Sequence, residues 1–83
     1  MKWTVVWLPE AQDDLTAIWL AATDRQAVRD SADWIDKALA RDPDRLGIVA
    51  PDGRFLERTP LAVAFEILPD DCLVRVLQVV RSD

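Results

Sequence analysis

The stretch from Trp3 to Trp19 constrains this chain more than any other. Trp3-Thr4-Val5-Val6-Trp7-Leu8 alternates as a half-buried strand does and runs straight through Pro9-Glu10-Ala11 into a segment with helical apolar spacing. A strand joined that tightly to a helix predicts a compact domain that mixes strands and helices. In the helix Ala11, Leu15, Ile18, Trp19 and Ala22 line one face. Pro9 suits the first helical position. Glu10, Asp13 and Asp14 lie where the helix dipole favours negative charge, by about 0.3–1 kcal/mol each.

A second helix is expected after Thr23, whose hydroxyl and the Gln26 side chain have the spacing of a reciprocal capping box, with Asp24 as the other possible cap. Val28, Ala32, Ile35 and Leu39 form its apolar stripe, with Ala38 beside it. The stripe stops before Asp42-Pro43, because a residue preceding proline avoids helical geometry. The two helices are expected to pair as an antiparallel hairpin. Pro51-Asp52-Gly53 then signals a turn, and strands are expected at about 54–59, 61–68 and 72–81, separated by Thr59-Pro60 and Pro69-Asp70-Asp71. The predicted fold is α+β, in the order β-α-α-β-β-β: one domain over residues 1–83, with a mainly antiparallel four-stranded sheet carrying the helical hairpin on one face.

If Asp70 and Asp71 make a two-residue turn, the last hairpin pairs Glu66 with Arg75 and Phe65 with Val76. Leu61, Val63, Phe65, Ile67, Val74, Val76 and Val80 then point toward the helices, with Gln78 as the one polar exception. The opposite face carries Ala62, Ala64, Glu66, Arg75, Leu77, Val79 and Arg81.

Composition narrows the function classes. Fifteen acidic against ten basic residues give a net charge of −5, which works against broad attraction to a polyanion. The charge is uneven: acids dominate residues 10 to 44, while Arg54, Arg58, Arg75 and Arg81 fall in the last third. No apolar stretch approaches the ~20 residues of a membrane span, and no charged region leads into a long apolar run, so a cytoplasmic protein without a membrane partner is expected. Cys72 is the only cysteine and histidine is absent, which excludes an internal disulfide and a four-ligand Cys/His metal site. Neither metal nor cofactor is expected, and Cys72 has no histidine to activate it.

Trp3-Thr4-Val5-Val6-Trp7-Leu8-Pro9-Glu10-Ala11, then Asp14-Leu15 and Ile18-Trp19, then Arg54-Phe55-Leu56, Leu61-Ala62-Val63-Ala64-Phe65-Glu66 and Leu73-Val74-Arg75-Val76-Leu77-Gln78-Val79-Val80-Arg81, taken in this order, resemble the RelE/ParE toxin superfamily of bacterial type II toxin–antitoxin modules. The resemblance covers nearly the whole chain. It implies a twisted antiparallel sheet under a helical hairpin, a cognate antitoxin as partner, and growth inhibition or plasmid stabilisation as the outcome. One branch of the family cuts messenger RNA on the ribosome with basic and aromatic or imidazole side chains; the other acts on DNA gyrase.

This sequence departs from the ribonuclease pattern. It has no histidine and no tyrosine, and Leu61-Ala62 stands where many members carry tyrosine-arginine. RNA cleavage needs a proton acceptor and a proton donor, each contributing ~10²–10⁴-fold, and arginine stays protonated. No catalytic residue is therefore assigned. The expected role is binding to protein: an antitoxin, and DNA gyrase as a target. A ribosome-dependent endoribonuclease and a degenerate non-toxic scaffold are the alternatives.

The candidate partner- or phosphate-binding residues are Arg54, Arg58 and Arg81; Arg54 follows Gly53 as an arginine of the family often does, and Arg81 resembles a family position that is often basic. Arg54 and Arg58 share a face about 13 Å apart at ~3.3 Å per residue. Ala62 and Ala64 give the open sheet face a shallow centre, and Leu77 and Val79 beside them make an apolar patch; these four are the candidate antitoxin contacts. Trp3, Trp7 and Trp19 are expected in the core, with Trp34 at its edge or at an interface. The helical hairpin also offers a surface for a homodimer.

Overall fold

A computed structural model describes residues 2–83. β1 (Thr4–Trp7) leads within two residues into α1 (Pro9–Ala21), and α2 (Arg25–Arg41) follows after a short connection. Leu8 closes the β1–α1 junction by donating its N–H to the Val76 carbonyl at 3.0 Å. Pro9 sits in the first turn, where its missing N–H costs nothing. At the far end of α1, Arg25 donates to the carbonyls of Trp19 and Leu20, both at 3.0 Å, and lies 4.5 Å from the Trp19 ring centre. A cation there satisfies carbonyls that the helix leaves open and opposes its negative end.

The capping box expected from Thr23 and Gln26 does not form. The helix begins one residue later, with Asp24 at the cap position but making no side-chain cap bond. Gln26 instead donates to Asp30 at 2.8 Å, and the Asp24 carboxylate is held by Arg81 at 2.6 Å. An ion pair with a distant strand has displaced the local cap.

The remaining strands are β2 (Ile48–Ala50), β3 (Gly53–Arg58), β4 (Leu61–Leu68) and β5 (Leu73–Arg81), and both helices lie on one face of a sheet whose strand order is β1-β5-β4-β3-β2. β1 runs parallel to β5 and all other pairs are antiparallel. The sheet has five strands where four were expected: β2 (Ile48–Ala50) pairs with β3 (Gly53–Arg58) around the Pro51-Asp52 turn. A two-residue turn places the residues before it directly opposite those after it, so a β-branched run leading into such a turn is drawn into the ladder. Gly47, just ahead of β2, has φ +76°, and a Cβ there would stand 2.4 Å from the Phe55 carbonyl oxygen. Only glycine fits that approach.

The last hairpin joins β4 (Leu61–Leu68) to β5 (Leu73–Arg81) through a 3-10 turn at Pro69–Asp71 and a left-handed Cys72, a longer connection than the two-residue Asp70-Asp71 turn expected, and Leu68 facing Leu73 keeps the same register. Its first half has the expected register: Glu66 faces Arg75 and Phe65 faces Val76. A β-bulge follows. Ala64 faces Gln78 rather than Leu77, so one extra residue enters β5 and every later side chain changes face. The expected register puts Val79 on the open face and Val80 toward the helices; the structure reverses both. Val79 is 2% exposed within the core and Val80 is 46% exposed.

The core between sheet and helices contains Val28, Ile35 and Leu39 from α2 and Leu61, Val63, Phe65, Val74, Val76 and Val79 from the last hairpin. Burying a side chain such as Phe65 or Ile35 contributes about 1.5–3 kcal/mol. Trp3, Trp7 and Trp19 pack half-buried against this cluster, and Trp34 is exposed. The Trp7 indole N–H donates to Asp36 at 2.8 Å, tying β1 to α2.

Candidate protein-binding face

The sheet face away from the helices has no element packed on it among the described residues. Cross-strand pairs run Ile48, Phe55, Ala64 and Gln78 across it in one row. Glu57, Ala62 and Val80 form the next row on one side, and Glu66, Arg75 and Val6 a row on the other. Ile48 is 74% exposed, and Val6, Phe55 and Val80 are exposed as well. Ala62 and Ala64 sit half-buried between these larger side chains, which gives the face the shallow centre expected of it. The Arg75–Glu66 pair, 2.5 Å apart, crosses this apolar surface.

Of the four candidate contacts, Ala62 and Ala64 lie on this face. Leu77 is half-buried at the bulge, in a concavity that it shares with Glu10, Asp13, Asp14 and Gln78. Val79 is excluded by its burial. Its N–H donates to the Asp14 carboxylate at 3.1 Å, so Asp14 serves the edge of β5 beyond the end of β1. Ile48, Phe55, Val80 and Val6 are the surface residues that sequence reasoning passed over. For Ile48 and Val80 the signal was parity along the strands, which is unreadable until β2 and the bulge are placed.

The three arginines stand on the helix side. Arg54 and Arg58 share a face, as expected, because they pair with Phe65 and Leu61, both core residues. Arg54 donates to the Asp44 carbonyl at 3.2 Å, and the Arg58 guanidinium lies 4.5 Å from the Trp34 ring centre. Arg81 does not lie where the regular register puts it. The bulge moves it from the open face to the helix side, opposite Leu61, and it has two acidic neighbours, Asp24 at 2.6 Å and Asp83 at 2.8 Å. Hydrogen bonds to Asp24 and then Asp83 raise its pKa, and Arg81 holds the Asp24 carboxyl below its ordinary value.

Arg58 and Arg81 stand in one cross-strand row, about 10 Å apart at ~4.8 Å per strand, with Leu61 between them. Arg54 lies at the other end of β3. The three therefore rim the helical layer without converging on one point, and each already has an intramolecular contact. Guanidinium groups stay protonated, so this arrangement can bind negative charge. Among the described residues no three potential metal ligands cluster, and no helix is long and apolar enough to cross a membrane.

No protein-family model and no curated protein matches the sequence. Solved structures do match in shape. A chain in the crystal structure of the toxin–antitoxin complex RelBE2 from Mycobacterium tuberculosis is similar with TM-score 0.78 and 17% identity, over 100% of this chain and 95% of that one. A chain of the chromosomal ParDE toxin–antitoxin system from P. aeruginosa is similar with TM-score 0.75 and 22% identity, over 99% and 98%. Agreement at these TM-scores over nearly the whole of each chain gives this chain the same fold as those two chains.

Proposed function

We propose that this chain is the toxin component of a bacterial toxin–antitoxin pair and acts by binding protein, its antitoxin lying on the open sheet face. The observation that carries the reading is the exposed row of Ile48, Phe55 and Ala64, flanked by Val80 and Val6, on a fold whose solved neighbours come from toxin–antitoxin complexes. Contiguous apolar surface rimmed by polar groups is the usual mark of a protein contact. An extended or helical segment with apolar side chains at alternate or helical spacing would fill the shallow centre over Ala62 and Ala64. Engagement of Arg54, Arg58 and Arg81 within the chain, and the lack of any histidine or tyrosine, favour protein binding over RNA cleavage. A protein target such as DNA gyrase fits this preference.

The test is expression of the chain alone and together with the product of the adjacent open reading frame. Growth arrest relieved by co-expression, with the two products co-purifying, is the expected result. Phe55→Asp should reduce that affinity by tenfold or more while leaving the circular dichroism spectrum intact, since Phe55 is 39% exposed. New RNA ends on translated messages, lost in Arg81→Ala, would overturn the protein-binding reading in favour of a nuclease.

A further inference from the structure

The outer surface of the helical hairpin carries a groove that the proposed function does not use. Its two sections, about 390 Å³ and about 560 Å³, share Leu15, Thr16 and Ala32 as a common floor. The floor is half apolar and its small residues leave room for a helix to approach closely. Charge is distributed unequally along it. One section is lined by Trp19 and Arg29, with Arg25 stacked on the Trp19 ring; the other is lined by Trp7, Gln12, Asp33 and Asp36.

We infer that this groove is a self-association surface, and that a second copy of the chain docks into it antiparallel about a two-fold axis near Ala32. Arg29 and Asp36 are seven residues apart on α2, about 10.5 Å at 1.5 Å per residue, and fall on one side of the helix. A two-fold axis midway between them lays the basic section of each copy over the acidic section of the other, so that Arg29 of one meets Asp33 and Asp36 of the second. A parallel arrangement would set like charges together. Among the described residues Arg29 forms no ion pair within its own chain; Asp36 forms none either and accepts the Trp7 indole N–H, while Asp33 pairs with Lys37 at 2.9 Å on an exposed turn of α2.

A molecule of net charge −5 repels its own kind at long range. That repulsion is screened beyond ~10 Å at 0.1 M salt, while opposite charges in contact are less affected. Self-association thus depends on arginines placed locally against carboxylates, which is the layout of this groove. The four half-buried side chains Trp7, Leu15, Trp19 and Ala32 supply apolar surface at both ends and in the middle.

Sedimentation of the purified chain from about 1 to about 500 μM tests this. The expected result is a species of twice the 9.4 kDa chain mass, weakened about tenfold when salt rises from about 50 to about 500 mM. Arg29→Glu and Asp33→Arg, both at exposed positions, should each be monomeric, and mixing the two variants should restore the dimer, because one supplies the acid that the other lacks. Circular dichroism checks that both are folded. A monomer at every concentration, or a dimer indifferent to both substitutions, would overturn the inference; the latter would point to the open sheet face instead. None of these outcomes depends on whether an antitoxin binds.

Discussion

Arg75 and Arg81 stand six residues apart on one strand, an even spacing that in a regular ladder puts two side chains on one face. They point to opposite sides of the sheet. Arg75 lies on the open face against Glu66, its partner across the hairpin; Arg81 lies on the helix side against Asp24, in the connection between α1 and α2. The difference comes from one residue, Leu77, which the ladder skips. A single inserted residue thus divides β5 into a half that shapes the binding surface and a half that fastens the end of the sheet to the helices. Bulges bend the strand and strengthen its twist, so the same residue also turns the far end of the hairpin toward α1.

The most severe way to break this comparison is to put a carboxylate on each side of it. Val79→Asp should cost about 4 kcal/mol or more, a large part of the ~5–15 kcal/mol total of a domain this size, because the charge enters an apolar core without a partner. Val80→Asp, on the exposed face next door, should stay within about 1 kcal/mol. Urea midpoints of the two variants decide the matter. An unbroken register would reverse their order.

The turn-proximal half of this hairpin was legible in the sequence. The short Pro69-Asp70-Asp71 turn and the alternation of Phe65, Ile67, Val74 and Val76 fix Glu66 opposite Arg75, and the pair is there. The bulge carries no glycine or proline to announce it. Its one sign was Gln78, a polar side chain that the regular register turns toward the helices; skipping Leu77 exposes Gln78 and buries Val79, which removes the conflict. β2 was hidden for a different reason. Three residues are too few to show a period, and Ile48-Val49-Ala50 becomes a strand only because the turn after it delivers β3 as a partner. The open-face patch inherits both omissions, since Ile48 belongs to the unseen strand and Val80 to the flipped half. Contacts such as Arg81 with Asp24 or Val79 with Asp14 join residues far apart in sequence and were readable only from the folded chain.

Asp14 offers a smaller test of the same boundary. β1 stops pairing at Trp7 opposite Val76, so beyond the bulge the outer edge of β5 has no strand to receive its N–H groups, and the Asp14 carboxylate accepts the one from Val79. Asp14→Ala should cost about 1 kcal/mol, near the low end of the range for a lost acceptor, because the site is only partly buried. Hydrogen exchange at the Val79 amide should quicken about five- to tenfold. Asp14→Asn keeps an acceptor oxygen and should recover most of the loss. An unchanged Val79 exchange rate in Asp14→Ala would show that the bulge holds its shape without this anchor.

The smallest effect concerns the fastening itself. Arg81 lowers the Asp24 pKa chiefly through their hydrogen bond, so the carboxylate binds its proton less readily in the folded chain than in the unfolded one. A depressed folded-state pKa stabilises the fold above the ordinary value of 3.8, and that contribution fades as pH falls through the lower folded value. The difference in stability between the native chain and Asp24→Asn should therefore be constant near neutrality and shrink only below about pH 4. Both groups are accessible to solvent, so the difference should also contract with added salt. Arg75→Gln supplies the contrast: it removes a cation from the open face and leaves Asp24 paired, so the effect of Asp24→Asn should be the same in the Arg75→Gln background as in the native chain. If Asp24→Asn instead tracked the native chain through the whole acid range, the Arg81 contact would be an incidental surface pairing, and the far half of β5 would owe its position to Val79 and Asp14 alone.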